Sequence, residues 1–352
     1  MAYTTIKKPS DYFNTKLYTG TGATHNITGV GFEPDLVWLK RRDAAGRHRL
    51  FDAVRGATKS IRSDDAEAEI TRADSLTSFD SDGFTLGADS SSGGINVNIS
   101  GETMVGWSWR GSDSSAVSNT DGSITSTVSA NTTSGFSIVK YTGTGANATV
   151  GHGLGAVPKM IIAKRLTDVE SWGVYHVSNG ASKYMKFDEN QIAETATTVW
   201  NNTTPTSSVF SLGASGLCNG SSKDMIAYCF AEKKGFSKFG SYTGNGNSDG
   251  TFVYTGFKPA FLILKNTSST GNWVMYDDKR SAVPDANINN RILYANSSVD
   301  YEIPSGSRTI DTLSNGFKLR GTATDINTSG NSYIYMAFAA EPLVGDNPCT
   351  AR

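Results

Sequence analysis

Cysteine is scarce, with three in 352 residues. Cys218, Cys229 and Cys349 are too few and too far apart for a disulfide framework or a zinc site, so the fold must stand on packing. Charge is scarce too: 18% of residues are charged and the formal net charge is −1. That balance provides no global positive field for nucleic acid or anionic membrane, and no acidic tail. No run approaches the roughly 18 apolar residues of a membrane span. The first eleven residues hold Lys7 and Lys8 but no apolar stretch of a secretory leader. The reading is a soluble product made in a cytoplasm, without membrane insertion. The four histidines, His25, His48, His152 and His176, show no metal-ligand spacing, and the sequence has neither a Walker loop nor a nucleophile elbow. No metal, cofactor or catalytic residue is expected.

What the chain does have is glycine, 37 residues of it, among abundant Ser, Thr and Asn, with 38% apolar residues. Such a composition disfavours helices yet still builds a core. Self-comparison reveals its order. Tyr18-Thr-Gly-Thr-Gly22 returns as Tyr141-Thr-Gly-Thr-Gly145 and as Tyr242-Thr-Gly-Asn-Gly246. Each is followed by a proline and a short apolar run ending in lysine: Pro34 to Lys40, Pro158 to Lys164 and Pro259 to Lys265. The proline-to-lysine runs lie 124 and then 101 residues apart, and the same spacings carry His48 onto Trp172 and Trp273. Gly83 to Leu86 matches Val209 to Leu212 and Gly316 to Leu319. Each copy closes on an alternating strand: Val105, Trp107, Trp109; Ile226, Tyr228, Phe230; Ile334, Met336, Phe338. A period of two with the same phase three times means β-strand, with one bulky face toward a core and one mostly small face.

The glycine tips supply the positive-φ residues of tight turns, and the four-residue apolar runs suit strands buried on both faces. The expected fold is all-β: three tandem antiparallel β-sandwich modules of jelly-roll or lectin-like type, in a row, spanning 1–111, 112–234 and 235–352. The second begins with a linker, Gly111 to Thr120, and an added strand around Ser123 to Val128. The joint from Glu232 to Phe236 is expected to be the stiffer one.

Cys229 falls on the small face of the second closing strand and reads as a buried hydrophobe. Gly151-His-Gly-Leu-Gly155 has glycine spacing like a phosphate loop but runs into Pro158 and a strand, so it reads as a turn. The pairs Asp64/Asp65 and Asp277/Asp278 are sequence neighbours, which in strands point to opposite faces. Two features carry a functional reading. Lys40 to Arg62 holds eight basic residues against two acidic ones, and Arg41, Arg42, Arg47, Arg49 and Arg55 are candidates for contact with an anionic partner. The plainer reading is a solvated surface with scattered pairing. Trp200, with Asn201 and Asn202, stands in a polar loop without counterpart in the other copies. An exposed indole beside amides would stack on a sugar, whereas a tucked one would only cap the sandwich.

Tyr3-Thr-Thr-Ile6, Pro9-Ser-Asp-Tyr-Phe13, Gly31-Phe-Glu-Pro-Asp-Leu-Val-Trp38, Leu50-Phe-Asp-Ala-Val-Arg-Gly-Ala-Thr58, Val150-Gly-His-Gly-Leu-Gly155, Ala227-Tyr-Cys-Phe-Ala-Glu-Lys-Lys-Gly-Phe236 and Asn315-Gly-Phe317 fall in one order. With them the chain resembles, nearly end to end, a family of virion-associated proteins of tailed, often marine, phages. The basic Arg47-His-Arg49 departs from that family's pattern. The resemblance implies a non-enzymatic tail-fibre or other surface-exposed virion protein with concanavalin-like sandwiches, placed on the virion surface. Its partners would be other virion proteins of tail, baseplate or capsid, and host cell-surface polysaccharide. A homo-oligomer is expected, a trimer if the protein is a fibre. The alternatives are a capsid decoration or other purely structural virion protein and, further off, a glycan-degrading enzyme.

Overall fold

The computed structural model describes residues 4–90, 96–281, 287–299, 302–342 and 344. Cys349 lies outside them. Among the described residues nearly all regular structure is antiparallel β, with only four-residue α-helices at Gly216–Asn219 and Thr324–Asn327. No helix among the described residues is long and apolar enough to cross a membrane.

Each repeat contributes a large sheet built on one four-strand order. In the first repeat the order across the sheet is Phe13–Thr19, Thr103–Trp109, Leu36–Arg41, Arg49–Asp52. The second repeats it with Phe136–Thr142, Asp224–Ala231, Pro158–Arg165 and Gly173–His176, and the third with Ser237–Thr243, Ser332–Pro342, Phe257–Asn266 and Val274–Asp277. A small sheet covers the outer face of each, formed in the first repeat by His25–Thr28, Gly83–Leu86 and Leu76–Asp80. The Thr-Gly-x-Gly tips turn at Gly22, Gly145 and Gly246, with φ of 69°, 71° and 68°, a region open to glycine at no steric cost.

The alternation of the closing strands acquires an unexpected meaning. The small face turns to each repeat's own small sheet: Ala227 and Cys229 join the second repeat's own apolar cluster, Tyr335 and Ala337 the third's, and Gly106 lies against Leu39 and Phe84 of the first's. The bulky face points the other way. Val105, Trp107, Trp109, Ile226, Tyr228, Phe230, Ile334, Met336 and Phe338 all join one core shared by the three repeats. Phe13 lies 5.4 Å from Phe261 and 5.3 Å from Phe338, ring centre to ring centre, and Phe187 lies 4.9 Å from Trp273. Each large sheet is thus buried on both faces, which explains why its apolar runs are continuous rather than alternating. The repeats do not stand in a row but close around a common centre, because a bulky face that no small sheet covers has only the neighbouring repeats to bury it.

Polar bonds fix the closure, and each recurs three times in the same rotational sense. The backbone N–H of Glu170 donates to Ala66 O, that of Gly271 to Asn190 O and that of Gly46 to Ser298 O, at 2.8–2.9 Å. Trp172 Nε1 donates to Arg62 O at 2.8 Å and Trp273 Nε1 to Lys186 O at 2.9 Å. His48, at the equivalent position, places Nε2 2.9 Å from Tyr294 O while its Nδ1 accepts from Trp38 Nε1, which fixes the neutral tautomer with the proton on Nε2. The lysines ending the apolar runs are buried as well; Lys164 Nζ donates to Ala66 O and Lys265 Nζ to Asn190 O. Burial lowers their pKa values, to about 8 and about 7. Second donates to first, third to second and first to third, the head-to-tail pattern that generates a closed ring.

Two of the three boundaries also hold a buried ion pair. Asp52 pairs with Arg55 and accepts from Tyr228 of the second repeat, at 2.5 and 2.7 Å. Asp277 pairs with Arg280 and accepts from Trp107 of the first, at 2.5 and 2.9 Å. At the equivalent position of the second repeat stands neutral His176, whose Nε2 meets Tyr335 O at 3.2 Å and whose pKa burial lowers to about 4.

The added strand of the second repeat is Ser126–Asn131, three residues later than Ser123 to Val128, and part of the expected linker forms a further strand, Val117–Asn119. Both extend the second large sheet beyond Phe136–Thr142.

Candidate functional site

The two sequence candidates are absorbed by the fold. Trp200 is 1% exposed, packed edge-on to Tyr175 inside the second repeat's own cluster. It is no sugar platform: the loop turns its indole inward, helped by the positive φ of Asn201 and Asn202, 50° and 46°. Asn202 is exposed and Asn201 half-buried, but without the indole they form no stacking site.

The basic cluster is likewise spent on carboxylates. Arg41 pairs with Asp43 and Glu102, Arg42 with Glu302 of the third repeat, and Arg47 with both Asp64 and Asp65. Asp64 and Asp65 converge on one guanidinium because they lie in a turn, not in a strand. Arg55 is buried between Asp52 and Glu69, and Arg49 is buried beside Ser60, its pKa lowered to about 10 mainly by burial. These five arginines hold the first repeat together and to its neighbours, and they offer no free positive field. Cys218 and Cys229 are buried, and burial pushes both thiols up, away from the reactive thiolate. His152 sits in a turn, accepting from Leu154 N and facing Thr206 O.

Three concave surfaces lie where repeats meet, and a further one of about 520 Å³ lies within the third repeat, beside Asp311 and Arg320. One of about 950 Å³ opens between the first repeat and the segment entering the second, lined by Phe32, Glu33, Asp35, Arg110 and Asp113 and a series of serines including Ser112 and Ser129. Clefts of about 550 and 390 Å³ open at the third-to-first and second-to-third boundaries.

Asp35 lines the cleft of about 950 Å³. It follows Pro34 at the start of the strand Leu36–Arg41, and its side chain crosses the boundary. Oδ2 accepts from Gly111 N at 2.7 Å and Oδ1 from Ser129 Oγ at 3.0 Å. Burial raises its pKa to about 6, against the lowering effect of those two donors, and Glu33 and Asp113 raise it further. Arg110 pairs with Asp113 at 2.7 Å and lies 5.9 Å from the Tyr12 ring centre. A carboxyl that changes charge near neutrality, hydroxyls and a guanidinium in one concavity make a site suited to hydrogen-bonding a polyhydroxylated or otherwise polar ligand. Among the described residues no group of His, Cys, Asp and Glu could hold a metal ion.

Asp35 was readable only as a break in the repeat. The residue after the shared proline is Asp35, Lys159 and Ala260 in turn, and a position where copies diverge while their neighbours agree is where a repeat protein differentiates one boundary from the next.

Residues 8–342 match the family described as Domain of unknown function (DUF7483), and the chain belongs to that family. No curated protein and no solved structure matches it.

Proposed function

We propose that this protein is a virion surface component of a tailed phage, a tail or fibre protein that meets host polysaccharide through the cleft around Asp35. In this reading each pair of large and small sheets is a lectin-like, jelly-roll-type sandwich, and the protein binds without catalysing. The observation that carries it is the cleft itself: about 950 Å³, lined by serines, Asp35 and Arg110, on a body whose repeats are locked by a shared core. Rigid scaffolds that present polar concavities favour recognition, because little ordering entropy is lost on binding. The resemblance of the ordered motifs to phage virion proteins supplies the biological setting.

Two measurements test this. Purified host surface polysaccharide is titrated against the wild type and against Asp35→Asn and Arg110→Ala; saturable binding weakened by both substitutions supports the cleft, and binding that ignores both overturns it. Immunogold labelling of intact particles is expected on the tail; labelling confined to the capsid replaces the adhesin reading with that of a head decoration.

A further inference from the structure

We infer that the cleft at the third-to-first boundary is an acceptor groove for an extended strand of a partner polypeptide, which pairs antiparallel with Phe13–Thr19 and presents a Ser or Thr side chain to Asp278.

The first strand of each repeat, Phe13–Thr19, Phe136–Thr142 or Ser237–Thr243, flanks the closing strand of its sheet and turns its other edge toward the neighbouring repeat. The fold satisfies those three edges differently. In the second repeat the chain's own strand Ser126–Asn131 lies along it, Ser129 opposite Ile138. In the third, the N–H equivalent to that of Ile138, on Phe239, donates to Glu232 Oε2 at 3.4 Å. In the first, the equivalent N–H on Thr15 is met only by its neighbour's side chain, Asn14 Oδ1, at 2.9 Å. By the period-two parity of a strand, Phe13, Thr15 and Leu17 all turn their backbone groups to this free edge. Asn14 is a removable plug on it, not a covering strand.

The groove beside that edge is the counterpart of the one Ser126–Asn131 fills. Its floor is Phe13 to Leu17, and its far wall is Ala260, Asp278 and Ala339 to Glu341 of the third repeat. Ala260 occupies the position of Asp35, and the backbone bond from Asp278 N to Ala260 O repeats that from Ala53 N to Asp35 O. In the filled groove, the wall carboxylate of Asp35 takes its hydrogen bond from the Ser129 hydroxyl of the inserted strand. In the open groove the carboxylate has moved one strand over, to Asp278, and its Oδ1 is buried without a partner. Thr15 Oγ1, on the opposite side, is buried without a partner too. Asp278 and Thr15 line one space of about 550 Å³, together with a sheet edge along which, among the described residues, no strand lies. A strand supplies ladder bonds to the edge, while a hydroxyl reaches the carboxylate; this is strand addition to an exposed sheet edge. The groove continues an interface that elsewhere in the same molecule holds a strand, which commits the occupant to an uncharged segment of small and β-branched residues like Ser-Thr-Val-Ser-Ala-Asn.

The test uses that sequence as the probe. A synthetic peptide of residues 123–132 is titrated calorimetrically into the full-length protein, with saturable one-to-one binding expected. Leu17→Pro removes an outward N–H while sparing the ladder to Thr103–Trp109, and Ala340→Phe fills the groove from the other wall; each is expected to weaken binding about tenfold or more. The same peptide with alanine in place of Ser129 is expected to bind severalfold more weakly. No binding at millimolar peptide, or binding untouched by both variants, overturns the inference. Self-association of the protein alone that Leu17→Pro abolishes also overturns it, in favour of a second copy as occupant. The result is independent of the polysaccharide reading, since Asp35→Asn leaves this groove unchanged.

Discussion

The centre of this molecule and its rim are built by opposite rules. At the centre, equivalent positions of the three repeats do equivalent things: bulky closing-strand residues enter one core, and Trp172, Trp273 and His48 each send a ring nitrogen to the backbone of the preceding repeat in the ring. At the rim, equivalent positions diverge. Asp35, Lys159 and Ala260 follow the same proline, and the three edge N–H groups find a strand, a glutamate and an asparagine as partners. The difference teaches where repetition is tied to folding and where it has been released. The backbone bonds that close the ring are alike at all three boundaries, whereas a cleft at one boundary is free to take up its own chemistry.

The sharpest way to break the comparison is to strike the centre. Trp107 is fully buried, donates to Asp277 and lies 5.7 Å below the Arg280 guanidinium. Trp107→Ala is expected to cost about 4–5 kcal/mol, the upper end for a large aromatic, because it leaves both a cavity and a partly unpaired carboxylate. Because the core is common, denaturant melts are expected to show one transition for the whole chain, shifted as a unit by this substitution. Separate transitions for separate repeats would refute the shared centre. Arg280→Met comes next, at about 3 kcal/mol, since it strands Asp277 as an uncompensated buried charge. Asn179→Ala, three residues after neutral His176 at the third boundary, is expected to cost about 1 kcal/mol or less in the same assay. Equal costs at the two positions would mean that the ion pair is not what distinguishes these boundaries.

How much of this was legible beforehand follows from the same division. The strands were readable because Leu36 to Lys40 and its copies are too short for helices and too apolar for loops, and the strand Gly83–Leu86 and its counterparts Val209–Leu212 and Gly316–Leu319 lie where the pattern put them. Which core the bulky face of Trp107 and Trp109 serves was not readable, since alternation shows that a face is buried but not by what. Trp200 misled because a tryptophan among Asn and Thr looks exposed until its loop's backbone is known. The arginines of the first repeat misled because their partners, such as Glu302 for Arg42, lie far off in sequence. Asp35 carried a signal only as a disagreement between copies.

Asp35 also sets a pH test at the rim. Its folded pKa, about 6, lies above the ordinary carboxylate value near 4. The fold therefore disfavours its charged form, and the stability it contributes is full below about pH 4 and is lost as pH rises through about 6. Asp35→Asn removes that dependence: relative to the variant, the wild type is expected to lose about 2 kcal/mol of unfolding free energy between pH 4 and pH 7. Burial also raises the carboxyls of Asp64, Asp89 and Asp188, so the difference between the two proteins, not the wild-type slope alone, is the readout. A constant difference across this range would mean that Asp35 carries no unusual charge cost at the boundary.

The smallest effect belongs to the outermost ion pairs. Arg41 is about a quarter exposed and faces Asp43, more exposed still, and Glu102. All three groups lie within the first repeat, so Arg41→Ala touches neither the shared core nor a boundary. Water screens such pairs and added salt screens them further. The expected loss is about 0.5 kcal/mol at low salt, shrinking toward zero in 0.5 M sodium chloride. Arg280→Met, whose pair is fully buried, is expected to keep its cost in the same salt, because counterions do not reach a dry interior. If both losses fell together with salt, the Asp277 pair would be solvated and the line drawn between centre and rim would lie deeper than Trp107.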